Sequence, residues 1–524
     1  MTKKHLNNEI IYQIYPLTFA YASGSKTDLY PSGAYGNLKG ITSRVKYVKD
    51  LGVDTIWITP FYKWGGHGFG YDITDYRSID PIYGDIDDFK ELCEVYHHYG
   101  IRVLIDQVYN HCSIYHPWFA ESEDKKLGFE DFFVWADAKG FDEKGKPLVP
   151  NNWTSIWDSS GNSAWMWSDT RKQFYLHSFD WSMPNLNLNN REVQNAILDV
   201  SKFWFDLGVD GFRLDAVGHY ACDPLLRDNA FDEKGNPIHR YDINSQGGAE
   251  FVNRLKQLCN AYPVPKTLLA EYGYDKSRQG IENTKKILAE SRCDAFFTFA
   301  LKLNGGLKTL GTTLQNEMRI SPNGEKLNWA FSNHDLERAP SRLFGNQYSV
   351  RKSKLLMALL MTLPGSICIF QGEELGLPNP KTMAECKNPA NDPLDIWTDY
   401  DSPWDASRAG FAMSDSLQDP SRKLALHPSE DQYKYAVSRQ KWDSDSMLNY
   451  TKDWIRFRKE SPFFRRYGNI IPLRVKKANV IAFVRTDADD NSRCLCIFNF
   501  NKYPVEVKYK GKRHIVRGED YILD

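Results

Sequence analysis

Apolar residues recur along the chain in two alternating rhythms, short unbroken runs and longer stretches with apolar positions three and four apart. The runs predict buried strands over Ile10–Tyr15, Thr55–Ile58, Arg102–Gln107, Gly211–Leu214, Thr267–Glu271, Ala295–Phe299, Asn328–Ser332 and Ser366–Phe370. The longer stretches predict helices over Ile41–Leu51, Asp87–Tyr99, Glu192–Leu207 and Gly248–Tyr262, the first three stopped by Gly52, Gly100 and Gly208. Eight short buried strands separated by helices argue for an α/β fold with a parallel sheet. Eight is the number that closes a (β/α)8 TIM barrel, and a doubly wound open sheet is the alternative. The polar residues favour the barrel. Asp106, Asp215, Glu271 and Asp335 each lie at or just past the C-terminal end of a strand, the rim on which barrel active sites are built.

Two connections are too long to be plain loops. Residues 112 to about 178 follow the third strand as an inserted domain and carry Trp118, Trp135, Trp153, Trp157, Trp165 and Trp167; residues 371–446 follow the eighth strand and are rich in Asp, Pro, Ser and Trp. Both are expected to wall a cleft. After a helix over Ser444–Lys459, the tail alternates as strands do, so a small antiparallel β domain closes the chain at 466–524. The barrel then comprises 1–111 and 179–465, with 371–446 as an insertion, and 112–178 is the inserted domain.

Composition narrows the partners. The 66 basic and 67 acidic residues balance to a net charge of −1, and no basic stretch is interleaved with aromatics, so nucleic acid is not an expected partner. Nine cysteines show no CxxC spacing and no His partner at zinc distance; reduced, mostly buried thiols are expected. Cys494 and Cys496 share a strand face without metal spacing. The longest apolar run, Leu355–Phe370, is broken by Pro364-Gly365 and is too short for a bilayer, and the first residues lack a signal-peptide pattern. A cytoplasmic protein without a membrane partner is expected. The 15 Trp, 29 Tyr and 29 Phe suit a ligand read by flat apolar faces fringed with hydroxyls, such as a sugar, although large cores use most such residues.

The chemistry gathers at Gly208–His219, which reads Gly-Val-Asp-Gly-Phe-Arg-Leu-Asp-Ala-Val-Gly-His. Arg213 and Asp215 stand two apart on a strand and project to one face. An arginine beside a carboxylate keeps it ionised, as a carboxylate nucleophile requires; a structural ion pair is the plainer reading of this stretch alone. Three further strand ends add to it: Asp106-Gln-Val-Tyr-Asn110-His111, Leu269-Ala-Glu271-Tyr, and Phe331-Ser-Asn-His334-Asp335.

Together these strand ends resemble the short conserved regions of the α-amylase superfamily of glycoside hydrolases (family 13). The resemblance extends through Gly70-Tyr-Asp-Ile-Thr-Asp-Tyr, Met183-Pro-Asn-Leu-Asn and Gln371-Gly-Glu-Glu-Leu-Gly, and leans to the α-glucosidase and oligosaccharide-active branch. It implies Asp215 as nucleophile, Glu271 as acid/base and Asp335 as transition-state stabiliser. Tyr71, Asp106, His111, Arg213, Ala216 and His334 would bind the sugar, with Ala216 leaning towards α-1,4 links. The implied reaction is retaining hydrolysis of short gluco-oligosaccharides or disaccharides. A transglycosidase or a sucrose-type glucosyl transferase on the same residues, and a non-catalytic sugar-binding relative, are the alternatives.

The chain also departs from the branch. The aspartate expected three residues before Tyr71 is Gly68, and the arginine expected to pair with it falls in Trp397–Trp404, which has none; His67, Asp399 or Asp401 could take their places. Tyr30–Asn37 carries too few carboxylates for the calcium loop of relatives, so no metal or other cofactor is expected there. A second calcium position, implied at Asn110 and His219, stays open because Gly218 replaces the lysine usual before that histidine.

Overall fold

In a computed structural model of the chain, the described residues are all but 1–5, 7, 27–32, 157–161, 234, 236, 274–277, 393, 395, 397–404, 462, 465, 466 and 491. The expectations at Trp157, at Tyr30–Ser32, and at Asp399 and Asp401 lie outside them. Each predicted barrel strand is present: β1 (Ile10–Ile14), β2 (Thr55–Ile58), β3 (Arg102–Gln107), β4 (Gly211–Leu214), β5 (Thr267–Glu271), β6 (Ala295–Phe297), β7 (Leu327–Trp329) and β8 (Ser366–Phe370). They form a closed barrel in the order β1-β8-β7-β6-β5-β4-β3-β2, not an open sheet.

The chain divides into two compact units, Pro60–Pro81 with Leu104–Cys293, and Met1–Thr59 with Ile82–Val103 and Asp294–Asp524. In the first unit, β4 pairs in parallel with both neighbours. Asp106 of β3 lies opposite Arg213, and Arg213 lies opposite Leu269 of β5. The helix before β4, Arg191–Asp206, is started by Asn190, whose side chain accepts from the Glu192 amide, and it buries Val193, Ile197, Val200, Trp204 and Phe205. Gly208 takes φ 109° just past its end, a left-handed conformation that glycine adopts without strain. In the inserted segment, Trp135–Ala136, Gln173–Leu176 and Trp165–Ser168 form a three-stranded sheet. Trp153 and Trp165, with rings stacked 5.9 Å apart, sit in the buried cluster of this segment, and Trp153 also lines a cavity beside it.

In the second unit, β1 pairs with β2 and β8, and β7 with β6 and β8. The helix Ile86–His98 is opened by a capping box between Asp85 and Asp88. Residues 470–523 supply the expected antiparallel sheet, Ile470–Pro472, Val480–Thr486, Arg493–Asn499 and Asp520–Leu523, plus a hairpin of Val505–Tyr509 and Lys512–Val516.

Three predicted elements end differently. The helix predicted over Ile41–Leu51 is two, Leu38–Ser43 and Val45–Leu51, broken at Arg44 (φ −94°, ψ 5°). Thr42 and Ser43 hydroxyls bond back to the carbonyls of Leu38 and Gly40, a pattern that bends helices. Strand β6 stops before Phe299, which has φ 50°. Strand β7 stops at Trp329, and beyond it Asn333 Oδ1 accepts from the Asp335 amide, fixing a turn where more strand was predicted. Among the described residues, no helix is long and apolar enough to cross a membrane.

The β4–β5 seam offers a direct test. A Cβ at Gly211 would stand 2.3 Å from the Thr267 carbonyl oxygen and 2.4 Å from its Oγ1. Gly211→Ala is therefore expected to destabilise the protein by about 1–3 kcal/mol, read as a lower denaturant midpoint at unchanged slope. An unchanged midpoint would mean that the seam is not close-packed there.

Candidate active site

Arg213 is buried on β4, 1% exposed, and three carboxylates surround its guanidinium. Its Nη1 donates to Asp106 Oδ1 at 2.8 Å and Oδ2 at 2.9 Å, and to Asp215 Oδ1 at 2.8 Å; its Nη2 donates to Glu271 Oε2. Burial works against the arginine's charge, but Asp106, Glu271, Tyr71 and Asp215 outweigh it and hold the guanidinium well above its ordinary pKa. Asp215 therefore projects with Arg213 as the two-residue spacing requires, and its own amide donates to the Gln107 carbonyl at 2.9 Å. Directly after it, Ala216 turns left-handed (φ 44°) and leads into a short 3-10 turn over Val217–His219. The Ala216 amide donates to Glu271 Oε2 at 3.3 Å.

Tyr71 extends the same cluster. Its hydroxyl donates to Asp106 Oδ2 at 3.1 Å, and its amide closes a turn on the Gly68 carbonyl at 3.0 Å. Asp106 is fully buried, so its part in the site is to hold Arg213 and Tyr71. His111 is 2% exposed, with Nδ1 3.2 Å from Asn110 Nδ2 and its ring 5.2 Å from that of Phe179. Beside Gly273, two residues past Glu271, a cavity of about 1200 Å³ is lined by Trp153, His219, Asp242 and Asn244 among others.

The second unit carries His334 and Asp335. The buried His334 ring packs nearly parallel to Tyr15, edge-on to Trp57, and its Nδ1 lies 2.8 Å from Gln13 Nε2. Its Nε2 is 3.3 Å from Asp335 Oδ2. The other Asp335 oxygen accepts from Arg408 Nη2 at 3.3 Å, and Arg408 Nε donates to the His334 carbonyl at 2.9 Å.

Sequence reasoning missed Arg408. It stands on the short helix Asp405–Arg408, just past the stretch in which an arginine was sought, and belongs to no motif; its signal is an arginine 4% exposed in a polar insertion. Asp72 was also missed. It is fully buried and accepts from the amides of His67 (3.0 Å) and Gly68 (2.9 Å), and burial raises its carboxyl to about 6. A Cβ at Gly68 would meet Met183 Cε at 2.2 Å, the Asp72 amide at 3.0 Å and Asp72 Oδ1 at 3.1 Å, so Met183 and Asp72 occupy the place of the expected aspartate.

At the second calcium position, Asn110 Oδ1 is 3.4 Å from Asn185 Nδ2, and burial lowers His219 to about 4. Among the described residues, no three His, Cys, Asp or Glu side chains gather as a metal shell.

A family profile described as "Alpha amylase, catalytic domain" matches residues 13–467. The chain is 36% identical over 518 residues to a "Probable alpha-glucosidase" of Rhizobium meliloti (strain 1021), covering 94% of this chain and 88% of that one. It is 30% identical to the "Oligo-1,6-glucosidase IMA5" of Saccharomyces cerevisiae (strain ATCC 204508 / S288c), over 94% and 90% of the two. The crystal structure of the "alpha-glucosyl transfer enzyme, XgtA" superposes with a TM-score of 0.83 at 31% identity over 99% of both chains.

Burial of His111, with His219 adding to it, pushes its pKa from the ordinary 6.5 to about 3. The unfolded ring takes up a proton as pH falls through about 6.5, while the native ring stays neutral, so the unfolded state binds more protons and stability is lost on acidification. His111→Gln is expected to reduce the slope of unfolding free energy against pH, between about pH 6 and pH 4, by nearly one proton, roughly 1.4 kcal/mol per pH unit. Denaturant unfolding at stepped pH measures it; an unaltered slope contradicts a buried neutral His111.

Proposed function

The chain belongs to the alpha-amylase family and is an alpha-glucosidase-like glycoside hydrolase of it, cleaving α-glucosidic bonds, and on that premise we propose a retaining reaction on the α-1,4 bonds of short gluco-oligosaccharides. One observation carries the assignment of roles: Asp215 and Glu271 share the guanidinium of Arg213. Two carboxyl groups roughly 5 to 5.5 Å apart suit a double displacement, and anchoring on one planar cation supports such spacing.

Asp215 attacks the anomeric carbon and forms the glycosyl ester. Glu271 gives its proton to the departing glycosidic oxygen, then takes one from the water that opens the ester. Arg213 keeps Asp215 ionised and aimed. Asp335, held from both sides by His334 and Arg408, binds sugar hydroxyls and favours the positive charge that develops on the ring. His111 and Tyr71 direct hydrogen bonds and a flat face at the sugar. The cavity beyond Gly273 offers room for the leaving sugar.

Transfer to an acceptor sugar is the second reading, favoured by the likeness to the alpha-glucosyl transfer enzyme. The relative named an oligo-1,6-glucosidase makes the linkage an open comparison. Incubation with maltose, isomaltose and sucrose, followed by chromatography, separates these readings. Glucose from maltose in clear excess over isomaltose is expected; longer products would favour transfer, and isomaltose preference would overturn the α-1,4 assignment. Asp215→Asn is expected to lower kcat on an aryl α-glucoside by roughly 1000-fold or more, and full activity in that variant would overturn the mechanism.

A further inference from the structure

Two sulfurs in the C-terminal sheet have no part in the sugar chemistry. Cys494 and Cys496 stand two apart on the strand Arg493–Asn499, so both project from one face, and Cys496 Sγ comes to 3.9 Å from Cys494 Sγ. The opposite face carries Leu495 and Ile497 into the buried cluster of that sheet. On the neighbouring strand Val480–Thr486, Arg485 pairs with Cys494 and is buried, its Nη1 donating to the Thr362 carbonyl at 2.6 Å. Among the described residues, which include all nine cysteines, Cys494 alone is not buried.

The two thiols differ in kind. The Cys496 thiol donates to the Cys494 sulfur, and that bond, with the Arg485 charge added to it, holds Cys494 below the ordinary thiol value. Burial pushes Cys496 up, so it keeps its proton. A half-buried sulfur that favours the thiolate therefore stands against a protonated one that water does not reach.

Spacing decides what such a pair can do. A disulfide needs β-carbons about 3.5–4.5 Å apart, whereas residues two apart on an extended strand advance roughly 6.8 Å, so direct oxidation would have to buckle the strand. One atom bound to both sulfurs needs no such movement, because sulfurs ~2.3 Å from a tetrahedral centre stand roughly 3.8 Å apart. Among the described residues, no three His, Cys, Asp or Glu side chains gather as a metal shell, so the occupant must bring its remaining bond with it. A trivalent organoarsenic compound does so, since its third bond is to its own organic group. We propose that Cys494 and Cys496 form a dithiol site that chelates trivalent arsenicals of the aryl arsenoxide class. Arsenic stays trivalent in the step: two As–S bonds form, the arsenic–oxygen double bond is given up, and the oxygen leaves as water with both thiol protons.

Phenylarsine oxide, added to the whole folded chain and followed by native mass spectrometry, tests the site. One arylarsenic per chain is expected, retained in excess glutathione, a monothiol, and removed by dithiothreitol, a dithiol. Cys494→Ser and Cys496→Ala are each expected to lose the retained adduct while the far-UV circular dichroism stays that of the parent, which shows that the variants fold. Cys494→Ser, at the more exposed position and close in size, decides the matter if Cys496→Ala does not fold. No adduct, an adduct that glutathione removes, or one retained in Cys494→Ser overturns the chelate.

Discussion

A single buried guanidinium sets the terms for the rest of the site. Taking Arg213 out of water costs several kcal/mol unless each donor finds a partner, and the neighbouring strands supply Asp106, Asp215 and Glu271. The dependence runs both ways: the guanidinium also favours the ionised form of the carboxyl groups packed around it, Asp215 among them. A buried cation with three carboxyl partners is a poor way to gain stability and an effective way to fix geometry, because each side chain has one orientation that satisfies the others. The order of the site is thus a consequence of electrostatic necessity on β3, β4 and β5.

Register turns that necessity into position. Parallel pairing puts Asp106 directly beside Arg213, and alternation along β4 puts Asp215 on the same face. Close approach of β4 and β5 at Gly211 admits no side chain, so the Arg213–Glu271 contact depends on a residue with no chemistry of its own. In the other unit, His334 and Asp335 gain their order differently, from a turn fixed by Asn333 and from Arg408, which reaches back from a distant insertion.

The eight strands were legible because each is a buried apolar run, and the strand-end polar residues stood out because several carboxylates recur at the same ends of those runs. That Arg213 and Asp215 face the same way could be read from spacing alone. Arg408 could not, since its partner lies 73 residues away and no local pattern marks it. Strand ends were misplaced at Phe299 and Trp329, where left-handed backbone and a side-chain turn override apolar character. In the inserted segment Trp153 both fills a small core and lines a cavity, a double part that composition does not show.

Covalent capture identifies the nucleophile. A fluorinated glucosyl fluoride that slows the second step should leave a glucosyl ester on the enzyme, and peptide mapping by mass spectrometry locates it. The ester is expected on Asp215, with the α-anomer as the first product from an unmodified substrate. An ester on Glu271 or Asp335, or a β-anomer as first product with no ester at all, would contradict it.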